Sequence, residues 1–116
     1  MHQSPLIPVV YISGPMTGLP EMNYPAFHSA AEELRSAGFH VINPAENETP
    51  TPRITREPDW SDWMRLSVQQ VTQADGVALL PGWEGSTGAC TEVFVARRLG
   101  LQVSLLQEWT MDKVSL

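Results

Sequence analysis

The chain has 116 residues, 42% of them hydrophobic and 17% charged, which suits one folded domain and not a disordered segment. Its formal net charge of −6 argues against a general nucleic-acid binder, which would present a basic face, yet leaves room for a small anionic ligand held by one or two local arginines. One cysteine, Cys90, forbids an intrachain disulfide and points to a reducing cytoplasm, and no run approaches ~18 apolar residues, so membrane-spanning and secreted readings fall away.

Residues 1–8 read as a loose lead-in with two prolines. Val9-Val10-Tyr11-Ile12-Ser13 is a β-branched and aromatic run ending at Gly14-Pro15, which predicts a buried strand. Gly14, Pro15, Met16, Thr17 and Gly18 then form a loop at the strand's C-terminal end. Asn23 fits a helix cap, and Pro25 falls in the first turn, where proline is tolerated. Phe27, Ala30, Ala31 and Leu34 recur at helical spacing, and Gly38 is placed to end that helix.

Phe39 to Asn43 reads as a second strand. From Pro44 to Pro58 the chain holds four prolines and no periodicity. Such a long excursion is either a solvated loop or a lid that brings Arg53 or Arg56 to an anionic substrate. Asp59 caps the next predicted helix, whose apolar stripe is Trp60, Met64, Val68 and Val71. Asp62 and Arg65 are spaced to pair on its exposed side, and Trp60 and Trp63 are expected to pack or seal.

Asp75 closes that helix, and Gly76 to Leu80 is a third strand. It breaks at Pro81-Gly82, crosses Trp83-Glu84-Gly85-Ser86-Thr87-Gly88 and enters a helix with Ala89, Val93 and Ala96 on its core face, ended by Gly100. Leu101 to Leu106 is the fourth strand. The last ten residues, with Trp109, form either a short helix or a tail.

Alternating strands and helices imply a parallel sheet with right-handed crossovers and helices on both faces. Ligands bind such sheets beyond the carboxyl ends of the strands, near the point where strand order reverses. The loops after the first and third strands both lie at that edge, which puts Tyr11, Ser13 and the 14–18 loop within reach of Glu92. Glu92 sits in the first turns of its helix, where the N-terminal partial charge favours an ionised carboxylate. Its small neighbours Gly85, Ser86, Gly88 and Ala89 let a ligand approach the backbone, and Trp83 is placed to stack on a base. Neither glycine loop has dinucleotide or P-loop spacing, and the three histidines and one cysteine have no metal-ligand spacing, so no cofactor or metal is expected. Cys90 is expected as a small buried hydrophobe in preference to a nucleophile.

Tyr11-Ile12-Ser13-Gly14-Pro15-Met16-Thr17-Gly18, the Ala74-Asp75 pair, and Leu80-Pro81-Gly82-Trp83-Glu84-Gly85-Ser86-Thr87-Gly88-Ala89 leading to Glu92 resemble the nucleoside 2-deoxyribosyltransferase superfamily, above all its short, often phage-encoded members. The resemblance spans about residues 8–106 of a single domain, 1–116. It implies a flavodoxin-like three-layer α/β sandwich with four or five parallel strands in the order 2-1-3-4. It also implies hydrolysis or transfer at the N-glycosidic bond of a deoxynucleoside or its 5′-monophosphate. Glu92 would attack the anomeric carbon, with Tyr11 orienting it, and Ser13, the 14–18 loop, Trp83, Ser86 and Gly88 would line the substrate site. Serine stands at position 86 where family transferases carry an aspartate, and at position 67 where a further acid is usual; Asp62, on the same helix as Ser67, is kept as a further candidate. A homo-oligomer is implied as well. The reading from a different class is a nucleotide-binding module that keeps the fold without the chemistry.

Overall fold

The computed structural model describes residues 7–50 and 56–114. Four strands, β1 (Val9–Ser13), β2 (His40–Ile42), β3 (Gly76–Leu79) and β4 (Gln102–Leu105), form one parallel sheet in the order β2-β1-β3-β4. Helices α1 (Tyr24–Ser36), α2 (Trp60–Thr72), α3 (Thr87–Arg98) and α4 (Leu106–Val114) cover both faces. The sandwich and its strand order are those expected, with four strands among the described residues and the end of the chain helical.

Alternation along β1 divides the core. Val10 and Ile12 face one side with Phe27, Ala30, Ala31 and Leu34 of α1 and Trp109 of α4. Tyr11 faces the other, with Val71 of α2 and Val93 and Ala96 of α3. β1 lies inside the sheet, its Ser13 paired with Leu79 of β3 at the carboxyl edge. The chain runs from β1 outward to β2, and from β3 outward to β4, so the order reverses between β1 and β3. That is where a crevice opens in sheets of this kind.

Several local signals act differently from their reading in sequence. Asn23 has a left-handed backbone (φ 60) and does not cap α1; its Nδ2 donates to the Pro15 carbonyl at 2.9 Å and ties α1 to the 14–18 loop. Asp59 does cap α2, in a reciprocal box with Asp62. Asp62 is buried and pairs with Arg56, not with Arg65 on the exposed side. Trp60 is 53% exposed and stands outside the core stripe that Val71 anchors. Cys90 is exposed, because its place on α3 faces away from the sheet. Asp75 lies past the end of α2, where its Oδ2 accepts from the Val9 amide at 2.8 Å and its own amide donates to the Val9 carbonyl at 2.7 Å, fixing the start of β1.

Candidate active site

Tyr11 and Ser13 are two residues apart on β1, so their side chains leave the same face of the sheet and meet α3. Glu92 comes down to them from α3. The Ser13 Oγ donates to Glu92 Oε1 at 2.6 Å, and the Tyr11 OH donates to Glu92 Oε2 at 2.8 Å. Both donors are fully buried, and Glu92 is 7% exposed. Bonds this short to a carboxylate are charge-assisted.

Burial pushes the Glu92 carboxyl above its usual range by disfavouring the anion, while hydroxyls from Ser13, then Tyr11, then Ser67 pull it back. Burial, followed by the neighbouring Glu92 charge, holds the Tyr11 phenol well above its ordinary value, so it stays a protonated donor. Glu92 is the sixth residue of α3, counting from Thr87, and so lies past the first turn where the helix dipole acts most strongly. The hydroxyls support its charge in place of the dipole expected from sequence.

Above this group opens a cavity of about 350 Å³. Gly14, Met16 and Thr17 line it from the loop after β1, and Ser86, Gly88, Ala89 and Glu92 from the loop after β3 and the start of α3. Ser86 caps α3 through its Oγ, which accepts from the Ala89 amide at 3.1 Å. Met22, Tyr24 and Phe27 close one side and Trp60, Trp63, Met64 and Ser67 of α2 the other; Pro44 and Asn47 complete the rim. The two loops approach closely: a Cβ on Gly14 would stand 2.8 Å from that of Leu80, so glycine allows the ends of β1 and β3 to meet.

Some expected site residues lie elsewhere. Pro15 and Gly18 are in the first loop but do not line the cavity, and Trp83 packs against the Tyr11 side of the core. Arg56 directs its guanidinium to Asp62, Nη1 to Oδ2 at 2.6 Å and Nη2 to Oδ1 at 3.1 Å, and neither residue lines the cavity. Arg53 lies outside the described residues. The tryptophans that do line it, Trp60 and Trp63, are one helical turn apart at the start of α2. Their spacing marks a shared face but not whether that face meets the core or a ligand.

Chemically the site is a buried, hydroxyl-clamped carboxylate under an aromatic and thioether-walled cavity. Apolar walls with a few converging polar groups are the usual make-up of a small-molecule site. Among the described residues no cluster of metal-ligating side chains occurs, and no helix is long and apolar enough to cross a membrane.

A family model described as a domain of unknown function, DUF4406, matches residues 8–105, which takes in every strand and the whole of this site. No curated protein matches the chain.

Proposed function

The chain belongs to the DUF4406 family, and from the geometry of its site we propose that it cleaves or transfers the N-glycosidic bond of a deoxynucleoside or deoxynucleoside 5′-monophosphate, with Glu92 as nucleophile. The observation that carries this reading is the Glu92 carboxylate held on both oxygens beneath the cavity. The resemblance of the 11–18 and 80–92 stretches to nucleoside 2-deoxyribosyltransferases supports it.

The chemistry follows from what such a carboxylate can do. Departure of the base leaves positive charge on the anomeric carbon, and a fixed anion beside it stabilises that oxocarbenium character. One Glu92 oxygen bonds to the anomeric carbon as the carbon–nitrogen bond breaks. The base leaves with the electron pair and takes a proton from water. Water, or the nitrogen of a second base, then attacks the same carbon; the ester bond breaks, its electrons return to Glu92, and the attacking group loses a proton to solvent. Covalent capture divides one hard displacement into two easier ones. Tyr11 keeps the carboxylate oriented, and Trp60 and Trp63 offer ring faces to a flat base. Assembly of several copies belongs to the same proposal, and light scattering on the purified protein measures it.

The test is incubation with deoxynucleosides and their monophosphates, following free base by chromatography. Wild type should release base, and Glu92→Ala should lower the rate by at least about 10³-fold while circular dichroism shows an intact fold. Base release by Glu92→Ala would remove that residue from the nucleophile role. A binding module without catalysis is favoured by one observation: Glu92 is the one carboxylate among the described lining residues, whereas glycosidases usually divide the work between two. Ligand-induced thermal stabilisation without base release would establish that second reading.

A further inference from the structure

We propose that Ser13 is a positioning residue for Glu92: it holds Oε1 as Tyr11 holds Oε2, so the carboxylate cannot turn and presents a fixed oxygen edge to the cavity. This rests on Glu92 being the nucleophile.

The geometry distinguishes the role from substrate contact. Ser13 is fully buried and does not line the cavity, and its Oγ–Oε1 bond of 2.6 Å is spent on the carboxylate. Without Ser13, Oε1 loses its 2.6 Å donor and the carboxylate is freer to rotate about its last side-chain bond, a soft torsion. With donors on both oxygens, from residues two apart on a strand inside the sheet, rotation breaks a bond in either direction. The reactive orientation is therefore present before substrate arrives, which is how a positioned group lowers a barrier. Ser13 has a second consequence. Of the hydroxyls that offset the burial of the anion, its bond acts most strongly, ahead of Tyr11 and Ser67. Tyr11 on β1 is the titratable group that bonds Glu92, and α2 contributes the uncharged Ser67; among the described residues, no further ionisable group contributes to the shift of Glu92.

Two measurements test this on the full chain, with Ser13→Ala and with Ser13→Cys, which puts a weak donor in place of a strong one. The first is the pH profile of base release. Loss of a donor to the anion disfavours ionisation, so the acid limb moves to higher pH. On that limb the rate falls about tenfold, with a smaller loss at the alkaline plateau. A merely structural role would lower the rate equally at every pH, and that result would overturn the proposal. The second is the ¹³C carboxyl titration of Glu92 in glutamate-labelled protein, assigned with Glu92→Gln, which needs no activity. Its midpoint should rise in both variants, and an unchanged midpoint refutes the proposed clamp. Wild type that releases no base while the midpoint still rises would sink the glycosidase reading and leave the clamp standing as a device of the binding site.

Discussion

Asp62 shows how much one side chain can hold at the start of an element. Its carboxylate accepts two guanidinium bonds from Arg56 and one from the Asp59 amide at 2.9 Å. The Arg56 hydrogen bonds, then the Asp59 amide, lower the Asp62 carboxyl from 3.8 to about 2. A depressed folded-state value means stability that is present above the unfolded value and lost as pH falls through the folded one. The advantage of wild type over Asp62→Asn should therefore be constant above about pH 5, shrink as pH falls through about 4 to 2, and be gone only below about pH 2. Urea midpoints across that range measure it, and a difference independent of pH would mean that the ion pair is not its source. Glu92 has the opposite sign. Burial raises its carboxyl, so the anion weakens the fold above that raised value and the burden disappears in acid. Glu92→Gln should accordingly raise the melting temperature at neutral pH and lose the gain at low pH. The meeting of Tyr11, Ser13 and Glu92 was legible in sequence, because strand alternation and a strand-loop-helix corner suffice to bring them together. The grip of Asp62 on Arg56 was not, since the loop before α2 has no periodicity from which to place a guanidinium.

At the scale of elements, α4 closes the sheet through one residue. Trp109 is buried, packs edge-on against Phe39 with ring centroids 5.5 Å apart, and its Nε1 donates to the Val77 carbonyl at 2.9 Å. The indole lies over the start of β3, where a Cβ on Gly76 would run into it. Truncation to Trp109→Ala should cost about 3–5 kcal/mol, since it empties the space that the indole fills. Gly76→Ala, which overfills the same contact, should cost about 1–3 kcal/mol. Chemical unfolding of both variants checks the pair, and a Gly76→Ala protein as stable as wild type would mean that α4 shifts freely on the sheet. This docking was illegible in sequence because nine helical residues at the chain's end have no strong apolar stripe. The other elements were plain, their strands being short apolar runs bounded by glycine and proline. The segment from Glu21 to Asn23 escaped for another reason: three successive left-handed residues, with φ of 54, 54 and 60, are costly, most of all for Glu21 and Met22, and no sequence pattern announces them.

Across the whole molecule, charge and cavity together say which ligands should feel salt. The chain carries a formal net charge of −6, and Glu92 is the one charged side chain among the described residues that line the cavity. Arg56, the described cation of the long loop, is engaged by Asp62. A nucleoside entering this cavity gains from apolar and ring contacts with Trp60, Trp63 and Met64, which ionic strength scarcely alters. A monophosphate brings up to two negative charges toward a negative protein, and the repulsion is strongest when screening is weak. The Debye length falls from about 30 Å at 0.01 M salt to about 8 Å at 0.15 M. Nucleoside affinity should then vary by less than about twofold over that range, whereas monophosphate affinity should improve as salt is added. Calorimetric titration of both ligands into Glu92→Gln, which removes turnover but keeps the cavity's shape, makes the comparison with the reactive charge deleted. Monophosphate binding that weakens with added salt would instead require a cation at the site, and Arg53→Ala would then be the substitution that abolishes the dependence.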